Sequence, residues 1–304
     1  MVVAAQRSPR VGDASQDKVL ALPPDIAVGD GLQLVLASAL RNLRFSVARA
    51  DPSSPESIHD FRIGVRRLRS LLSIFRPVLP EEERRGLSRY LGGFAQRYGR
   101  VREWDVLLTE TLAPLRAALP DEGIITEIAD NATEARRSAL PQFALEGEAA
   151  AIAAALDAAA FVRRPLPEHE EIWSSSLRDF SSVLMEKHHR RLRKWLKQLD
   201  LTDQAAFHRV RIRAKRLRYP IEMFSTLFDA EAVQPYLRRL VRVQNALGHL
   251  NDAQTARTLL GTLPLSGPAQ ALADGWLARD ILASRERFPK IARAFRRSAP
   301  FWER

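Results

Sequence analysis

The 304-residue chain contains no cysteine, so neither a disulfide framework nor a thiolate zinc site can hold it together. That absence fits a reducing, cytoplasmic setting. Long apolar runs are missing too. The longest uncharged run, Thr258 to Ala273, is shorter than a membrane span and is broken by Pro264, Gly267 and Pro268. The opening residues, MVVAAQRSPRVGD, lack the apolar core and cleavage pattern of a secretory signal. Acidic residues are in deficit: 36 Asp plus Glu stand against 47 Lys plus Arg, a formal charge of +11. Such an imbalance points to a polyanionic partner, although charge alone does not say which one. What is present is 46% hydrophobic and 27% charged residues, a mix that excludes wholesale disorder. The length allows one large domain or two of ordinary size.

Strand signals are also lacking. No stretch alternates apolar and polar residues, and from Gly31 onward the apolar spacing is helical almost everywhere. The sequence therefore predicts an all-α fold. Prolines at 52/55, 77/80, 120, 141, 165/167, 235 and 264/268 are expected to cut it into helices of ordinary length. Residues 1–28 show no sustained periodicity and are expected to form a mobile tail. The Pro-rich stretch from Arg163 to Glu168 is the expected connector between two halves, 29–162 and 163–304.

The two halves repeat. Laying His59 over His208, an offset of 149, places HDFRIGVRRLRS (59–70) on HRVRIRAKRLRY (208–219), with seven of twelve positions identical or Arg/Lys exchanges. The same offset aligns Gly99 with Gly248, and Arg102-Glu103 with Asn251-Asp252. Upstream it aligns Arg41, Leu43 and Arg44 with Arg190, Leu192 and Arg193. A repeat held in register over this distance marks a duplicated helical unit.

At a helical pitch of about 100° per residue, Arg62, Arg66 and Arg69 fall within about 80° of His59 on one side. Phe61, Val65, Leu68, Leu72 and Phe75 fall on the opposite side and can face a core. The second copy repeats the stripe with His208, Arg211, Lys215 and Arg218, backed by Val210, Ala214, Leu217 and Ile221. Pro220, in place of Leu71, is expected to bend that helix after Arg218. A basic helix is ordinarily a solvated face laced with i,i+4 ion pairs. These stripes instead stack like charges at that spacing, with Asp60 and Glu222 off the line, and the cost recurs in both copies. An anionic ligand accounts for it. Between Glu186 and Arg218 twelve Lys or Arg face three acids, a net of +9, with His188 and His189 among them. No metal site is expected: HxxH and HxxxH spacings are absent.

The doubled HxxRxxx(R/K)RLR motif, together with YGRVREWD (98–105) and LGHLNDAQ (247–254), resembles the CHAD domain, an α-helical domain with conserved histidines. The resemblance spans about residues 29 to 304. It implies two tandem four-helix bundles related by a pseudo-two-fold axis, with basic side chains lining a central groove. It also implies binding of inorganic polyphosphate and association with polyphosphate granules. Many members are fused to a CYTH triphosphatase domain; its ExExK motif has no match here, since Glu81-Glu82-Glu83 runs into Arg84-Arg85, so the chain is expected to stand alone and to inherit no such activity. Carried over by motif, the anion contacts are His59, Arg62, Arg66, Arg69, His208, Arg211, Lys215 and Arg218. Arg67 and Arg216, about 80° to the other side of the histidine by helical pitch, are secondary contacts. So are Arg41, Arg44, Arg190 and Arg193 on the preceding helices.

The leading expectation is non-catalytic binding of polyphosphate, with no cofactor, no metal and no membrane partner. Rows of Arg and His without base-reading groups suit a polymer that offers only phosphate oxygens. The alternative is an RNA-binding protein using the same surface. It is weakened by the lack of aromatics within the stripes and of any RRM, KH or helix-turn-helix signature; Tyr219, just past the second stripe, is the residue that favours it. An enzyme is disfavoured, because there is no GxxxxGK[ST] loop, no repeated His-Asp pair and no carboxylate cluster for Mg²⁺.

Overall fold

A computed structural model describes residues 20–48, 54–120, 122–140 and 145–303. Among these residues the protein is helical, with no strand beyond one isolated β-bridge. Helices α1 (Val28–Ala48), α2 (Pro55–Ile74), α3 (Glu81–Arg97) and α4 (Gly99–Val106) come first. A π-helical turn at Leu107–Thr111 then leads into α5 (Ala113–Ala118), α6 (Gly123–Ser138) and α7 (Leu145–Ala158). After short α8 (Glu170–Ser174) come α9 (Leu177–Gln198), α10 (Gln204–Phe224), α11 (Ala230–Leu260) and α12 (Gly267–Arg296). No helix among the described residues is long and apolar enough to cross a membrane.

The duplication is visible in the helix boundaries. α1 and α9 start 149 residues apart, as do α2 and α10, and the 3-10 turns that follow, Arg76–Val78 and Ser225–Leu227, keep the same offset. Their N-caps obey it too. Ser54 accepts a hydrogen bond from the Ser57 amide to start α2, and Asp203 accepts one from Ala206 to start α10. Equivalent residues also meet. Ala27 bridges Ser176, with the Val28 amide donating to Ser175 O and the Leu177 amide donating to Ile26 O, each at 3.0 Å. Phe75 and Phe224 pack edge to face, their centroids 5.9 Å apart. Reciprocal contacts between residues of one constant offset are the mark of a local two-fold axis. α2 packs on α10, and α4 on α11, around it.

The amphipathic reading of α2 and α10 holds. Phe61, Val65, Leu68 and Leu72 are buried, as are Val210, Ala214, Leu217 and Ile221, all at 1% exposure or less. Two expectations need correction. Residues 1–19 of the expected tail lie outside the described residues, but residues 20–27 are docked: Leu22 and Ile26 are buried, and Thr226 Oγ1 accepts from the Leu22 amide and donates to Leu20 O. Pro235 does not break the chain. It sits inside α11, near its start, where the lost hydrogen bond is offset by burial of Val233, Tyr236 and Leu240. α10 runs on through buried Pro220 to Phe224.

Phe75 touches Phe224 across the axis and stacks on Phe180 of α9 at 5.7 Å, so it ties the halves together. Phe75→Ala is expected to cost about 3–5 kcal/mol. Because the contact is shared, urea unfolding should remain a single transition with a lowered midpoint. Two separated transitions would show that the halves stand independently.

Candidate functional site

The apolar face of α2 is buried against α1 and α3 and that of α10 against α9 and α11, so where α2 and α10 meet their charged faces share one neighbourhood. Arg66, exposed at the middle of α2, lies with its guanidinium carbon 5.7 Å from the ring centroid of Tyr219 on α10. Lys215 is the positional equivalent of Arg66 and is half-buried. Its ammonium is pushed down to about 7, first by burial, then by Arg211 of its own helix and by Arg66 and Arg62 from the other half, with Asp252 acting in the opposite direction. Tyr219 feels Arg66, Arg218 and Arg211 together, although burial is the main cause that raises its phenol; its hydroxyl is buried without a hydrogen-bond partner.

The rest of the first stripe leans on α3 and α4. Arg62 donates to the carbonyl of Ala95, and burial, then Arg66 and Arg102, hold its guanidinium below the usual range. Gly92 and Gly99 lie beside these side chains: a β-carbon at Gly92 would lie 3.5 Å from the Arg69 guanidinium carbon, and one at Gly99 3.8 Å from an Arg62 nitrogen, both ordinary contact distances. In the second copy Gln244 replaces Ala95. Arg218 donates to its side chain at 3.3 Å and to Glu222 at 2.5 Å, so this end of the stripe carries its own counter-ion. His59 is half-buried; His208 is exposed on a shallow depression with Phe207, Asn251 and Gln254.

The structure therefore gathers Arg62, Arg66 and Arg211 around Lys215 where α2 and α10 meet, with Arg66 over Tyr219. It places Arg69 beside α3 and Arg218 beside α11, and sets the two histidines near the helix starts. It does not gather the secondary set there. Arg44 lines a depression between α1 and α7 with Glu146 and Asp157, and Arg41 is exposed on the same helix. Arg190 pairs with Glu186, and both Arg190 and Arg193 act on the buried His189. Arg216 is exposed and acts on His188 of α9, and Arg67 is half-buried. Sequence reasoning missed the acids. Glu103 opposes the depression of Arg62, and Asp252 that of Lys215. The signal was present, because the 149-residue offset pairs those two carboxylates.

Lys215 gives a direct test of this crowding. An unfolded lysine keeps its proton to about 10.4. The folded one loses it near 7, so the unfolded chain binds more protons between those values, and stability rises with pH across that window. Lys215→Met is expected to stabilise the ligand-free protein at pH 7 by about 1 kcal/mol, because it removes a poorly solvated charge. It should also flatten part of the rise between pH 7 and 9.5 in thermal melts. Identical slopes in both proteins would contradict the burial and crowding of Lys215.

A family model for the CHAD domain matches residues 32–261, which include both stripes. The crystal structure of the CHAD domain from the plant Ricinus communis is 28% identical over 93% of this chain and 96% of its own, with a TM-score of 0.70. PptA from Streptomyces chartreusis shares the fold at 18% identity, covering 88% of this chain and 100% of its own, with a TM-score of 0.63. No curated protein matches. The all-helical architecture, the doubled motif and a family match across most of the chain lead to one conclusion: the chain belongs to the CHAD domain family.

Proposed function

We propose that this protein binds inorganic polyphosphate, without turning it over, in a groove formed where α2 and α10 cross. The observation that carries the reading is the meeting of cations from both halves. Arg66 of α2 lies over Tyr219 of α10, the helix that carries Lys215. The Lys215 ammonium is pushed down to about 7, by burial first and then by Arg211, Arg66 and Arg62. Four cations meet there with Asp252 and Glu103 as the opposing acids, which favours an anionic ligand. A polyanion supplies the missing charge, and charge-assisted bonds from guanidinium forks to phosphate oxygens contribute about 1.5–3 kcal/mol each. Polyphosphate is also the ligand that membership of the CHAD family suggests. The protein is then an adaptor that rides on polyphosphate granules in the cytoplasm.

RNA would use the same charges, but it gains its selectivity by stacking bases on open aromatic faces. Tyr219 is already covered by Arg66, which favours a ligand recognised by charge alone.

Titration with polyphosphate and with single-stranded RNA of equal charge, at two salt concentrations, tests this reading. Polyphosphate should bind more tightly at both, and its affinity should fall steeply with salt as counterions are released. Arg66→Ala should weaken it by about tenfold or more, the loss expected for one charge-assisted contact. At pH 8 binding should take up protons, because phosphate beside Lys215 restores its charge. No phosphate should be released, with or without Mg²⁺. Equal affinity for the two polymers, or phosphate release that disappears in Arg66→Ala, would contradict the proposal.

A further inference from the structure

One cationic cluster is not explained by the duplicated groove. On α9, His188, Arg191 and Trp195 share one face at helical spacing, and antiparallel α10 turns Arg209, Arg213 and Arg216 toward them. By pitch these three arginines lie about 80–140° from His208 on the side opposite the groove stripe, which lies about 20–80° away. The contacts confirm the placement. The guanidinium carbons of Arg213 and Arg209 sit 4.0 and 5.7 Å from the Trp195 ring centroid, and Arg213 donates to the carbonyl of Arg209 at 3.1 Å. Arg216 and Arg191 act on both Arg213 and His188, and His188 is pushed down to about 4, first by burial and then by these charges and Lys187. Among the described residues, the counter-ion recorded on this face is Asp203, 3.5 Å from Arg209.

The first half keeps one member of this cluster, Arg67 at the position of Arg216, and lacks the others. At the positions of His188, Arg191, Trp195, Arg209 and Arg213 it carries Ala39, Asn42, Ser46, Asp60 and Gly64. The repulsion on this face is therefore not a by-product of the repeat. A guanidinium stacked on an indole is held flat while its N–H edges remain available to an anion. Arg213 already occupies the ring of Trp195, so the face offers forks for phosphate rather than an aromatic surface for bases.

We propose that the outer face of α9 and α10 is a second anion site that takes a linear phosphate chain, separate from the groove and present once per protein. Only the choice of ligand rests on the polyphosphate reading of the groove. With sites on opposite sides of α10, a single protein would link two phosphate chains.

Calorimetry with a short linear polyphosphate tests this on four proteins: wild type, the groove variant Arg66→Ala/Lys215→Ala, the outer variant Arg191→Gln/Arg213→Gln, and their combination. Two short chains should bind per wild-type protein, one to each double variant, and none measurably to the combination. Arg213→Lys, which keeps the charge and loses the planar stack, should weaken the outer site by about tenfold, the worth of one guanidinium fork. With long polyphosphate, wild type should cross-link the polymer into particles that scatter light, and the outer variant should not. An outer variant that binds as many short chains as wild type would overturn the proposal. So would an outer site, measured in the groove variant, that prefers an oligoribonucleotide to polyphosphate of equal charge. If instead the groove variant binds like wild type while the outer variant loses a site, the groove reading fails and the second site stands.

Discussion

The structure depends on a forced proximity of like charges. The apolar faces of α2 and α10 are almost completely buried, each within its own half, and where the two helices meet Arg66 and Arg62 of one half stand against Lys215 of the other. Contacts on the pseudo-two-fold axis hold the arrangement: the Ala27–Ser176 bridge and the Phe75–Phe224 pair allow the halves no sideways escape. Apolar burial, at about 25 cal/mol per Å², is large enough to hold such a crossing against partly screened repulsion. Glu103 and Asp252 relieve part of that repulsion from α4 and α11. A bound polyanion would relieve the remainder.

The two halves have diverged around this shared centre. Arg69 lies beside Gly92, whereas Arg218 is engaged by Glu222 and Gln244. The second half also adds the arginines around Trp195, where the first has Gly64 tightly packed: a β-carbon there would come within 2.8 Å of Leu43. One helix, α10, thus meets the other half with one face and carries a private cationic surface on another.

The helical class and the repeat were legible because both rest on local periodicity, and the 149-residue offset foretold the starts of α9 and α10 from those of α1 and α2. The core faces were legible for the same reason. Other features were hidden because they depend on tertiary partners. Pro235 reads as a breaker, yet burial of Val233 and Tyr236 carries α11 through it. Leu22 and Ile26 read as tail because an extended segment docked on Thr226 has no helical period. Lys215 reads as one more cation, because its burial, the first cause of its shifted titration, and the approach of Arg66 and Arg62 on α2 exist only in the folded chain. Arg44 and Arg190, grouped with the stripes by sequence alignment, stand beside acids on other faces.

The central claim is that both halves act on one stretch of ligand. A double-mutant cycle on Arg66→Ala and Lys215→Ala, read as affinity for a short polyphosphate at fixed pH and salt, tests it most directly. If the two side chains share one site, the double variant should depart from the sum of the single losses by about 0.5 kcal/mol or more. Strict additivity, with each variant leaving the other half's binding untouched, would mean two independent sites and would contradict the account.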